Sequence, residues 1–156
     1  MRQRKYKPPP AGDKFEKAIN SEMYEVRLLV GEAMRYVDRF VQITDEKRNE
    51  IRLIISELLI NAMYHGNKNN IQKKIMLTMN VTKDEKLLIQ VEDEGMGLRR
   101  KIIKQKKTMA QDQRLSLEDG GRGLMLISRL SGSLYTKREG KRVCTKVSIR
   151  SKGTTQ

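Results

Sequence analysis

Three short segments of the 156-residue chain hold residue types whose spacing could do chemistry. In the first, Glu57 and Asn61 stand four apart within a helical apolar pattern, so both side chains project from one face. A carboxamide oxygen is a neutral, hard ligand for magnesium, and a neighbouring carboxylate can orient or deprotonate a hydroxyl nucleophile. In the second, Asp93 closes an apolar run and is followed by Glu94, Gly95, Met96 and Gly97. A carboxylate there can accept a hydrogen bond from an exocyclic amine, and glycines let a flat ligand approach the backbone. The third segment, Gly120-Gly121-Arg122-Gly123-Leu124, ends a long polar stretch and opens an apolar one. Backbone N–H groups at such a helix entry can face an anion, and Arg122 can add a charge-assisted hydrogen bond. Each segment also has a plainer reading: a solvated helix face, an acidic turn, a flexible helix entry.

These segments need elements to position them. Residues 15–20 alternate weakly, as in an edge strand. Ser21 is the expected N-cap of a helix with apolar positions Met23, Val26, Leu29, Val30, Ala33, Val37, Phe40 and Val41. Thr44 or Asp45 caps a second helix, apolar at Ile51, Ile54, Ile55, Leu58, Leu59 and Ala62, that ends near Gly66. The period then drops to two. Ile75, Leu77, Met79 and Val81 mark a strand with one wet face, and after a turn at 83–86 a more buried strand runs over 87–91. A short helix is expected from Gly123 to Leu130, and a hairpin of 134–138 with 143–149 around Glu139 and Gly140. Helices segregated from a largely antiparallel sheet make the class α+β.

Composition narrows the field. Lys and Arg number 33 against 19 Asp and Glu, a formal charge of +14, so an anionic partner is indicated. That charge is uneven: residues 1–14 are net +4, 15–97 net −2, 98–119 net +4 and 120–156 net +8. With two Phe, five Tyr and no Trp, base stacking on single strands has little to work with. One cysteine, Cys144, and one histidine, His65, can build neither an internal disulfide nor a zinc site. His65, at the end of the Asn61 helix, reads as structural. No apolar stretch approaches the roughly 18 residues of a membrane span, and the basic start leads into prolines, so a cytoplasmic location is expected. The P-loop signature is absent, and neither glycine pair completes a dinucleotide-binding fingerprint. Residues 1–14, with Pro8, Pro9 and Pro10, read as a flexible basic arm and 151–156 as a tail. The polar stretch 98–119 is too long for a routine connection.

Taken together, Ser56-Glu57 through Asn61-Ala62 to His65-Gly66, then Asp93-Glu94-Gly95-Met96-Gly97, then Gly120 to Leu124, resemble the three nucleotide-binding boxes of the Bergerat-fold ATPases. That family joins gyrase, Hsp90, histidine kinases and MutL. The likeness covers residues 15–150 in order and spacing, and leans toward the bacterial anti-sigma-factor serine/threonine kinases. It implies a two-layer sandwich, a mixed, mostly antiparallel sheet with helices on one face, and a 98–119 segment acting as a lid over ATP.

The resemblance also implies roles. Asn61 would hold the Mg2+ that bridges the phosphates, and Glu57 would be the general base. Asp93 would bind the adenine amino group, with Gly95 and Gly97 shaping that pocket. Gly121, Arg122, Gly123 and Leu124 would meet the phosphates, with Arg114 of the lid joining them. Where the family carries a Gly-Thr pair, this chain reads Cys144-Thr145, so Thr145 would keep the hydroxyl. The implied partners are a sigma factor and an anti-sigma antagonist protein whose hydroxyl receives the phosphoryl group, and the resemblance allows a homodimer. The alternative is a nucleotide-gated binding module of the same fold without kinase activity. A basic nucleic-acid binder ranks third, because the charge is concentrated in the lid, the phosphate end and the tail.

Overall fold

The structure, a computed structural model, describes residues 13–40, 43–95, 121–138 and 141–149. The arm up to residue 12, Gly97, the lid with Arg114, the Glu139-Gly140 turn and the tail lie outside the described residues. The elements run β1 (Phe15–Asn20), α1 (Met23–Phe40), α2 (Asp45–Asn61), a π-helical turn (Ala62–Gly66), β2 (Lys74–Val81), β3 (Lys86–Asp93), α3 (Gly121–Ser131), β4 (Tyr135–Lys137) and β5 (Arg142–Ser148).

The five strands form one sheet in the order β1-β2-β3-β5-β4, and each of its four pairings is antiparallel. Alternation sorts the strand residues onto two faces. Ile19, Ile75, Leu77, Met79, Leu87, Ile89, Val91, Val143 and Val147 are buried beneath the helices. The opposite face pairs Glu16 with Thr78, Gln90 with Cys144 and Glu92 with Arg142. On that open face the Glu92 carboxylate takes Arg138 at 2.7 Å and Arg142 at 2.6 Å. β3 is somewhat more buried than β2, as expected, yet still alternates: Leu88 and Gln90 are half-buried on the open face.

The helices close the core as their apolar spacing requires. Val26, Leu29, Ala33 and Val37 of α1 are buried with Ile51, Ile54, Ile55, Leu58 and Leu59 of α2 and Leu124 and Ile127 of α3. Each large apolar side chain among them contributes about 1.5–3 kcal/mol when fully buried. The Thr44 side chain accepts from Lys47 N at 3.1 Å and caps α2. Ser21, the expected cap of α1, is engaged elsewhere. Its hydroxyl donates to Lys73 O and accepts from Asn67, tying the β1–α1 corner to the start of β2. Glu25 instead reaches back to accept from Asn20 N at 2.6 Å.

The second helix does not run on to Gly66 in α geometry. It ends at Asn61, and one π-helical turn follows, closed by Asn67 N donating to Ala62 O. Lys68 and Asn69, at φ 50° and 58°, then reverse the chain toward β2.

Candidate functional site

α2 and α3 pack side by side, and the contact brings the first and third segments together. Glu57 and Asn61 lie on the α2 face toward the head of α3. A β-carbon built on Gly123 would stand 2.5 Å from Glu57 Oε2 and 2.9 Å from Asn61 Nδ2. A side chain there would enter the space between carboxylate and carboxamide and displace them, so glycine keeps this arrangement open. The N–H groups of Gly121, Arg122 and Gly123 head α3, where helix geometry supplies no acceptor in a preceding turn. Leu124 departs from its expected role in one respect: its side chain is core, 1% exposed under the sheet.

The second segment meets the end of the first. Asp93, at the end of β3, is buried, and its Oδ1 accepts from Gly95 N at 2.9 Å. A β-carbon on Gly95 would fall 2.0 Å from Gly66 O, so the backbone of the Asp93–Gly95 turn rests directly on the π-helical turn. The site thus has two halves joined through α2. One holds Glu57, Asn61 and the head of α3; the other holds Asp93 and Gly95. His65 sits half-buried in the connecting π-turn, a structural position.

Asn61 is buried, and among the described residues its Nδ2 has no hydrogen-bond partner. Leaving such a donor unmet costs about 1–3 kcal/mol, which a ligand would recover. The carboxamide can offer N–H to a phosphate oxygen or, turned over, its oxygen to a cation. Among the described residues no three His, Cys, Asp or Glu side chains cluster to hold a metal by themselves. A hard cation with Asn61 as a protein ligand and phosphate oxygens around it fits that donor set.

Thr145 is not brought to this site. β5 pairs with β3 so that Thr145 lies opposite Ile89, four residues back from Asp93, and its hydroxyl donates to Ser133 O at 2.6 Å. Lys141 O receives Asp93 N, and the buried β5 residue nearest that end is Val143. Cys144 points to the open face, beside Gln90 and Tyr135, where burial pushes its thiol pKa up. The Cys-Thr pair is thus a packing and tethering device of β5.

Asn67 is the residue that motif reasoning passed over. It follows Gly66 directly, is 1% exposed, and its carboxamide joins the π-turn to both Ser21 and the Glu94 backbone. A polar residue flanking a turn looks ordinary in sequence, and its partners are 46 and 27 residues away.

Among the described residues no helix is long and apolar enough to cross a membrane. No curated protein matches the chain in sequence. Several solved structures share its fold. The RsbU and RsbW domains of Rv1364c from Mycobacterium tuberculosis superpose with a TM-score of 0.62 at 12% identity, over 88% of this chain and 32% of that one. The histidine kinase domain of the blue-light activated histidine kinase from Erythrobacter litoralis EL346 gives a TM-score of 0.52 at 21% identity, over 80% of this chain and 61% of that one. The sequence profile of the histidine kinase-like ATPase domain matches residues 19–150, most of the chain, and the chain belongs to this family.

Proposed function

We propose that the protein is an ATP-dependent serine/threonine kinase acting as an anti-sigma factor in the cytoplasm. Its acceptor would be a hydroxyl of an anti-sigma antagonist protein. The observation that carries this reading is the convergence of Glu57 Oε2 and Asn61 Nδ2 on the space that a β-carbon of Gly123 would fill. A pure nucleotide holder needs the carboxamide and the helix head; it has no need of a carboxylate beside them. The likeness to a chain containing an RsbW domain lends support at the level of the fold.

Phosphoryl transfer is mainly positioning and stabilisation of charge spread over the phosphoryl oxygens. In this reading the N–H groups of Gly121, Arg122 and Gly123 bind phosphate oxygens, and Asp93 accepts from the adenine amino group. Gly95 keeps the base-side backbone low enough for a flat ring to lie against it. Magnesium, when bound, neutralises phosphate charge, and Asn61 would hold it. Glu57 takes the proton from the acceptor hydroxyl as that oxygen bonds to the γ-phosphorus and ADP leaves. Residues 98–119, rich in Lys and Arg and including Arg114, would supply the cover.

The test compares wild type with Glu57→Gln and Asp93→Asn, given labelled ATP, magnesium and candidate antagonist proteins. Glu57→Gln is expected to bind ATP normally while transfer falls about 10²–10⁴-fold. Asp93→Asn is expected to lose ATP binding. Transfer that survives Glu57→Gln would remove the base assignment. ATP binding without transfer to any antagonist would leave the nucleotide-gated binding module.

A further inference from the structure

The two halves of the site lie on elements far apart in sequence, and one side chain sets them against each other. Asn67 Oδ1 accepts from Glu94 N at 2.8 Å, fixing the turn that carries Asp93 and Gly95. Its Nδ2 donates to Ser21 Oγ at 2.8 Å and to Lys74 O at 2.9 Å, anchoring that turn to the β1–α1 corner and to the start of β2. Its backbone N–H closes the π-turn onto Ala62 O at 2.8 Å, one residue beyond Asn61. A second tie reinforces the first: Glu94 Oε2 accepts from Lys74 N at 2.9 Å. The carboxamide is buried, so these bonds are exchanged for nothing when they break.

We propose that Asn67 is a positioning residue. It holds the Asp93–Gly95 turn in register with the end of α2, so that base recognition and phosphate binding act on one nucleotide together. This rests on the assignment of Asp93 to the adenine amino group. It goes further in naming the residue that gives that carboxylate its orientation relative to Asn61 and Gly123.

The readout is a ratio. Partial unfolding lowers the apparent affinity for every ligand by the same factor, so the affinity ratio between two nucleotides is blind to a merely structural defect. ATP and inosine triphosphate differ at the 6-position of the purine, amino in one and oxo in the other. Wild type is expected to prefer ATP by about 10- to 100-fold, the worth of one hydrogen bond to a charged acceptor. Asn67→Ala should bring the preference within about threefold while leaving affinity for inorganic tripolyphosphate close to wild type, once corrected for the folded fraction. Asn67→Asp keeps the acceptor for Glu94 N and should retain most of the preference, even if it is less stable. Should Asn67→Ala keep the wild-type ratio, or should Asn67→Asp lose it as fully as Asn67→Ala does, the positioning role is overturned. An Asp93→Asn variant separates the two claims: if it keeps the wild-type preference, the base assignment itself falls, and the positioning role with it.

Discussion

A β-carbon at Gly123 would meet the ends of two side chains, Glu57 Oε2 and Asn61 Nδ2, and both can turn away. A β-carbon at Gly95 would meet the Gly66 carbonyl, which cannot move without moving the π-turn. The two alanine variants should therefore fail differently. Gly123→Ala should fold with unchanged or slightly raised stability, since alanine is favoured over glycine in a helix by about 1 kcal/mol. The phosphotransfer proposed above should nevertheless collapse, because the methyl displaces the carboxylate. Gly95→Ala should lose about 1–3 kcal/mol of stability together with nucleotide affinity, the cost of forcing backbone apart in a packed site. Urea denaturation, nucleotide titration and a phosphotransfer assay on the two proteins check both expectations. At this scale the sequence is readable where partners lie within one helical turn, as with Glu57 and Asn61. The approach of Gly123 to that pair, and the reach of Asn67 to Glu94, are tertiary facts with no local signature.

Apolar periodicity locates the helices and strands because burial on one face imposes it, and the boundaries agree wherever that face is long. It misleads at two junctions. Ser21 has the right type for a cap of α1, but its hydroxyl is drawn to Lys73 O and Asn67 by the corner it sits in. The apolar stripe of α2 continues through Ala62 and Met63, and nothing in that composition distinguishes α from π geometry. Within α1, a β-carbon added to Gly31 would have no atom within 4 Å, so no packing demands glycine there. Gly31→Ala should stabilise the fold by about 0.5–1 kcal/mol through helix propensity. Thr44→Ala, which strips the α2 cap, should cost about 1 kcal/mol. Denaturation midpoints that shift in the opposite directions would contradict these assignments.

Across the whole molecule the helices cover one face of the sheet, with α1 over the β1 side and α3 over the β5 side, and one tyrosine reports on that closure. Tyr36 is 1% exposed, lies 5.8 Å from the Phe15 ring, and donates to Asp13 O. Burial, with the Asp13 carboxylate nearby, pushes its pKa up to about 12, against a weaker opposing pull from Arg39. The folded state thus holds this proton more tightly than the unfolded chain does. Its stabilising contribution is complete below about pH 10 and is lost as pH rises toward 12, on the order of 2 kcal/mol in all. Unfolding between pH 9 and 11.5 should show a smaller loss of stability for Tyr36→Phe than for wild type; equal losses would refute the assignment. The α+β class was legible from the order of elements, but the placing of β5 beside β3 was not. That pairing sets the register that carries Thr145 away from Asp93, because strand order depends on contacts between residues some fifty positions apart, such as Glu92 with Arg142. The π-turn has a consequence in terms of chain length. It is a helical turn carrying one residue more than α geometry uses. Removing one residue between Asn61 and Gly66 would leave the count that α geometry uses, so the turn could tighten to an α-helical one while the chain beyond it keeps its course. The Gly66 carbonyl would then stay against Gly95, and the Asn67 carboxamide within reach of Glu94. Tyr64, 47% exposed, is thus the residue whose deletion should disturb the site least, whereas the same deletion inside α2 would rotate everything beyond it by about 100°.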